Sequence, residues 1–292
     1  MTMAMHSLTP QQIAAYQRDG YLILSGVFSG QEITRMAEEA ERLLDLILNA
    51  SLATGQVSPR LDMRTRNGQQ VVRKLQPIND LSEYLRDVSE DPRLLQPMRD
   101  LMGCEPVLME EKLNYKQALR QQVEISARPD DDAFPFHHDW GYYKAQGYPR
   151  ATLSSAISID ESTPQNGPIR VIPGSHLRDW PLNNGGQGPE IAEDVFTHDD
   201  AVDVLAPPGS VMLFNSALVH YSLANTTQRP RRIMIYSHYP STYSFAPDAR
   251  NRVGRERGQQ HEARYGDMLQ SGAYTDRIHV STALSSIDRE NL

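Results

Sequence analysis

Two stretches near the amino end carry apolar residues at helical spacing. Thr9-Pro10-Gln11-Gln12 has the spacing of a capping box with proline at the first helical position, and Gly20 stops that helix before the apolar run Tyr21-Leu22-Ile23-Leu24. A second capping box, Ser29 to Glu32, opens a longer helix in which Ile33, Met36, Ala37, Ala40, Leu43, Leu44, Ile47 and Leu48 recur at intervals of three and four. From about Glu105 the pattern changes to short alternating or apolar runs broken by Pro, Gly, Asn and Asp. These predict strands over 107–116, 122–126, 134–139, 152–160, 169–172, 202–205, 210–214, 218–222 and 232–239. The fold class expected is mainly β with flanking helices, and about eight such strands suit a jelly roll.

The polar, Gly-rich stretch 182–193 reads as a surface insertion loop. Past Pro240 the mixed charges Asp248, Arg250, Arg252, Arg255, Glu256 and Arg257 lack periodicity and read as solvated loop or frayed helix. One domain over 1–292 is the simplest division: a helical part at 8–100, a β core at 101–240, and a tail at 241–292. The tail arginines with Tyr243, Ser244 and Phe245 are candidates for a lid.

Charge and cysteine content narrow the chemistry. With 29 basic and 37 acidic residues the chain is acidic, at a formal net charge of −8, so nucleic-acid binding is not expected. Neither a membrane-spanning run nor a secretory signal at Met1 to Ser7 is evident, and a cytoplasmic protein is expected. The single cysteine, Cys104, can form neither an internal disulfide nor a thiolate site. A metal would therefore need His, Asp or Glu.

Phe134-Pro135-Phe136-His137-His138-Asp139 places His-x-Asp at the end of a predicted strand. Residues i and i+2 of a strand share a face, so His137 and Asp139 can reach one ion while His138 turns away. A distant histidine would complete two imidazoles and a carboxylate, the facial arrangement of non-haem Fe(II) oxygenases. His220, 81 residues after Asp139, is the candidate. Arg231 follows 11 residues later, at the start of an apolar strand, and an arginine buried there requires a carboxylate partner. His-x-Asp alone also fits surface hydrogen bonding, and His198-Asp199-Asp200 repeats it. That second copy lies in a polar stretch only 22 residues before His220, too near for intervening strands. His176 and His238 read as packed or hydrogen-bonded, and His6, His261 and His279 as terminal residues without a specific role.

Four segments together resemble the phytanoyl-CoA dioxygenase family of Fe(II)- and 2-oxoglutarate-dependent oxygenases. They are His137-x-Asp139, the run Asn166-Gly167-Pro168-Ile169-Arg170-Val171-Ile172-Pro173-Gly174-Ser175-His176, His220-x-Ser222 and Arg231. The likeness extends to Tyr16-x-x-x-Gly20-Tyr21, Arg73-Lys74-Leu75-Gln76 and Leu113-Asn114-Tyr115-Lys116, spanning most of 8–240. The resemblance implies a cupin-like double-stranded β-helix holding Fe(II) by His137, Asp139 and His220. It implies that 2-oxoglutarate is bound through Arg231 and Ser222, with Lys74 and Lys116 as further contacts. O2 would be consumed and succinate and CO2 released as a C–H bond of a small molecule is hydroxylated. A carboxylate at Asp139 implies hydroxylation, where a small residue would admit halide as in related halogenases.

If Lys116 faces inward, Glu110, Lys112 and Asn114 line the same pocket by strand alternation. Trp140 and Tyr142 follow the metal motif and are candidate substrate contacts. The substrate is expected to be a secondary metabolite, an amino-acid-like molecule or an acyl compound. Desaturation, epoxidation and ring formation share the same site; a Zn-dependent hydrolase or isomerase and a non-catalytic 2-oxoglutarate sensor are the other classes. Monomer and homodimer both remain open.

Overall fold

Thr9 and Ser29 both close reciprocal capping boxes, so helices α1 (Pro10–Asp19) and α2 (Gly30–Thr54) begin where expected, with strand β1 (Tyr21–Leu24) between them. The computed structural model describes residues 6–119, 123–185, 188–192, 194–245 and 250–275. A hairpin of β2 (Leu61–Arg66) and β3 (Gln69–Leu75) precedes helices α3 (Glu83–Ser89) and α4 (Pro92–Met102) and the long strand β4 (Pro106–Ala118). Next come β5 (Arg128–Pro129), β6 (Phe134–His137), the short helix α5 (Trp140–Lys144), β7 (Leu153–Ser158) and β8 (Arg170–Val171). β9 (Asn183–Gly185), β10 (Gly188–Glu190), β11 (Val202–Asp203), β12 (Val211–Asn215), β13 (His220–Ser222) and β14 (Ile233–Pro240) complete the strands. Helix α6 (Arg252–Gln270) follows.

The strands form a jelly roll. A major sheet runs β1-β12-β7-β14-β4-β3-β2-β5 and a minor sheet β11-β8-β13-β6. Alternation sorts the major sheet into two faces. Leu113 and Tyr115 of β4, with Met234 and Tyr236 of β14, pack in one cluster with Met36, Leu43, Leu44, Ile47 and Leu48 of α2. Glu110, Lys112 and Asn114 of β4 and Ile235 of β14 turn to the opposite side, toward the minor sheet, and line a cavity. Covering one face with α2 thus commits the other face to the site. No described helix is long and apolar enough to cross a membrane.

Three expectations need correction. The stretch 182–193 contains a small hairpin, β9 paired with β10, instead of being only a loop. No strand forms over the described part of 122–126: the side chain of Gln70 bonds the backbones of Val123 and Ile125, taking the place of a neighbouring strand; Gln122 lies outside the described residues. The described part of the tail is not frayed, since it carries a docked helix. Helix α6 buries Gly258, His261 and Tyr265, a stripe with almost no apolar signature. Tyr243 and Ser244 are exposed, while Phe245 stacks on Tyr148 at 4.3 Å; His279 lies outside the described residues.

The α6 dock centres on Arg60, whose buried guanidinium meets Asp80 at 2.7 Å, Glu262 at 3.0 Å and the Pro77 carbonyl at 2.6 Å. His261, assigned no role from the sequence, lies 2.9 Å from the Thr54 hydroxyl of α2. A Cβ on Gly258 would stand 2.2 Å from Arg60 Nε and 2.5 Å from Cζ, so the helix lies directly on the guanidinium. Gly258→Val is expected to destabilise the protein by about 1–3 kcal/mol through this overpacking. Urea unfolding should show the lowered midpoint, and an unchanged midpoint would mean that α6 is not held at Arg60.

Candidate metal centre and cosubstrate pocket

β6 and β13 run antiparallel with His137 directly opposite His220. Directly opposed residues project from the same face, and the two ring centroids are 4.3 Å apart. His137 Nδ1 lies 2.7 Å from the Pro135 carbonyl and His220 Nδ1 2.9 Å from that of Leu218. A carbonyl only accepts, so Nδ1 is the protonated nitrogen in each neutral ring and the Nε2 lone pair is free to bind an ion. Asp139 sits just past β6 at the start of α5, its Oδ1 4.0 Å from His137 Nε2. One donor atom from each of His137, Asp139 and His220 lies within 4.8 Å of the others. His138 turns away as the strand pattern predicts and accepts a hydrogen bond from the Gly141 amide at 3.0 Å.

The surroundings set the protonation states. Burial, reinforced by His220, lowers His137 to about 3. Burial alone would raise Asp139, but Lys112 Nζ, 3.9 Å away, outweighs it and keeps the carboxylate ionised. Two imidazoles and a carboxylate are the donor set suited to Fe(II) with open positions.

The triad opens into a cavity of about 760 Å³ between the two sheets. Arg231, two residues before β14, is buried and lines it with Ser222. Its Nη2 donates to the Gly167 carbonyl at 2.7 Å, while Nε and Nη1 have no partner among the described residues. Burial pulls its pKa down to about 10. A guanidinium with two unpaired buried donors is expensive unless an anion is received there, and a carboxylate is the matching acceptor. Lys74 lines the same cavity, lowered to about 8 by burial and then by neighbouring Lys112.

Glu110, Lys112, Asn114 and Tyr142 also line the cavity, but two other candidates do not. Lys116 is turned out of it. At Lys116 φ is +47°, and the β3–β4 register slips between Val72↔Gln117 and Lys74↔Asn114, so strand alternation breaks one residue too early. Its ammonium instead donates to the carbonyls of Asp132 at 2.6 Å and Leu223 at 2.5 Å. Trp140 is likewise outside, packed on His138 with Lys144 and Arg150 over its ring. Two lining residues carry more than the motifs indicated: Arg73, which pairs with Asp62 at 3.2 Å, and Arg250, which pairs with Glu110. Arg250 belongs to the tail considered as a lid, but no periodicity singled it out from the arginines beside it.

The family profile for phytanoyl-CoA dioxygenase (PhyH) matches residues 16–233. The chain belongs to this family. With it, this PhyH protein joins the Fe(II)- and 2-oxoglutarate-dependent dioxygenases. It is 29% identical over 248 residues to an ectoine dioxygenase of Sphingopyxis alaskensis, covering 77% of this chain and 73% of the relative. An L-proline trans-4-hydroxylase of Streptomyces griseoviridis is 24% identical over 246 residues, with 76% and 83% covered. The crystal structure of EctD from S. alaskensis with bound Fe superposes with a TM-score of 0.64 at 25% identity, covering 84% of the PhyH protein and 82% of EctD.

Proposed function

We propose that this protein hydroxylates a C–H bond of a small organic molecule, using Fe(II) held by His137, Asp139 and His220. In this reading 2-oxoglutarate has its far carboxylate on Arg231 and Ser222, with Lys74 as a second cation. The observation that carries it is the buried Arg231, with two donors unpaired, in the same cavity as the triad. The related dioxygenase and hydroxylase favour hydroxylation among the outcomes open to such a site.

When bound, iron, 2-oxoglutarate and O2 together supply the oxidising chemistry: R–H + O2 + 2-oxoglutarate → R–OH + succinate + CO2. The chain's own residues position and insulate. The carbonyls of Pro135 and Leu218 fix the two rings, and Lys112 holds Asp139 charged and aimed. The cavity walls exclude bulk water and orient the substrate, and no side chain has to transfer a proton for the C–H bond to break.

Anaerobic addition of Fe(II) and 2-oxoglutarate tests the assignment. Wild type is expected to develop the weak visible charge-transfer band of a chelated 2-oxo acid, and Asp139→Ala to lack it. Folded, metal-loaded wild type without the band would overturn the proposal.

A further inference from the structure

Beyond the triad and Arg231 the cavity holds a second set of cations. Seven cationic side chains line it against three carboxylates, in a protein whose net charge is −8. A divalent metal and a doubly charged 2-oxoglutarate cancel one another, so the excess of cations persists in the loaded site. Asp62 is shared between Arg64 at 2.6 Å and Arg73 at 3.2 Å. Glu110 is shared among Lys112 at 2.9 Å, the Tyr143 hydroxyl at 3.3 Å and Arg250. Both carboxylates are therefore committed to the protein's own donors and have little capacity for a cationic substrate.

Arg250 is the cation best placed to receive a ligand. Its Nε donates to Glu110 and its guanidinium lies over the Tyr143 ring, 4.5 Å from the centroid, which fixes one edge and one face. The terminal nitrogens have no hydrogen-bond partner among the described residues, and the side chain lines the cavity. Its position is set from outside the barrel: Asn251 Nδ2 donates to Glu111 Oε2 at 2.7 Å, and Arg255 lies 3.4 Å from the same carboxylate. On the inner side, Glu110 and Lys112 connect Arg250 to Asp139. Arg250 lies outside the family-matched residues 16–233.

Resting on the oxygenase reading of this cavity, we propose that Arg250 is the anion receptor for the substrate, binding the oxyanion head group of a small organic carboxylate, phosphonate or phosphate. The head group would sit at the tail side of the cavity, with the carbon chain reaching past Lys112 toward the triad. A neutral or purely cationic molecule gains nothing from this arrangement.

Calorimetric titration of the Ni(II)- and 2-oxoglutarate-loaded protein, which does not turn over, tests this with 3-phenylpropanoate, 3-phenylpropanamide and 2-phenylethylphosphonate. The acids are expected to bind on the order of tenfold more tightly than the amide, the stronger of the two identifying the head group. In Arg250→Gln the preference should fall to within about twofold. Equal binding of acid and amide, no acid binding up to about 10 mM, or a preference that survives Arg250→Gln would each overturn the proposal. Should circular dichroism show Arg250→Gln unfolded, Arg250→Lys serves instead: it keeps the charge without the fork, so an intermediate preference supports the receptor and a wild-type preference overturns it. A separate titration of 2-oxoglutarate into the Ni(II) protein, wild type against Arg231→Met, tests the oxygenase reading by itself. If 2-oxoglutarate does not bind, the acid and amide titrations on the protein alone still decide the role of Arg250.

Discussion

His137→Ala and His220→Ala should each reduce 2-oxoglutarate turnover to below about 1% of wild type, whereas His138→Ala should retain most of it. Loss of an outer partner of a metal ligand typically costs about 10–100-fold, and loss of the ligand itself should exceed that. The contrast between adjacent histidines follows from the strand: His137 faces His220 across the β6–β13 pair, while His138 packs against Trp140 and accepts from Gly141. Succinate release and bound iron, measured together, check the expectation. A His220→Ala protein with a tenth or more of wild-type turnover would remove His220 from the metal, and a dead His138→Ala protein would reverse the assignment of faces.

Arg231→Met should separate stability from function. Arg231 is buried with two unpaired donors, an arrangement that favours binding over stability in the ligand-free protein. An apolar side chain of similar length removes the desolvation cost while leaving the Gly167 carbonyl without its donor, so the two changes partly offset. The ligand-free melting temperature is expected to stay level or rise, and 2-oxoglutarate affinity to fall by roughly 100-fold or more, as for a lost charged hydrogen-bond pair. Thermal melts with and without saturating 2-oxoglutarate report both quantities. A sharp fall in ligand-free stability, with cosubstrate stabilisation intact, would make Arg231 a structural residue.

Much of the fold was legible because it rests on strong local signals. The capping boxes at Thr9 and Ser29, the period of α2 and most strands of the β core sit where the sequence places them. The candidate triad was legible from His-x-Asp, a distant histidine and the family resemblance, although the predicted strand 134–139 stops at His137 and Asp139 takes a helical conformation at the start of α5. Other features depended on tertiary context. Lys116 was carried inward by an alternation that a bulge interrupts. The β2–β3 hairpin carried a readable signal that went unused: Asn67-Gly68, both with positive φ, is the turn such hairpins favour. Helix α6 carried none, because its buried stripe is glycine, histidine and tyrosine held by Arg60, a distant arginine in the turn before β2.

The place of β14 bears on how the protein is made. It lies between β7 and β4 in the major sheet, yet it is the last strand among the described residues. A ribosome therefore delivers strands on both sides of that position before the strand that joins them. Until Ile233–Pro240 has emerged, β4 and β7 each present an unpaired edge, the kind of surface on which nascent chains aggregate. The two halves of the sheet can lock only late in synthesis, and Arg250 reaches the cavity only after that. Nascent chains stalled before residue 233 should accordingly remain protease-sensitive and depend on chaperones, while those extended past α6 should not.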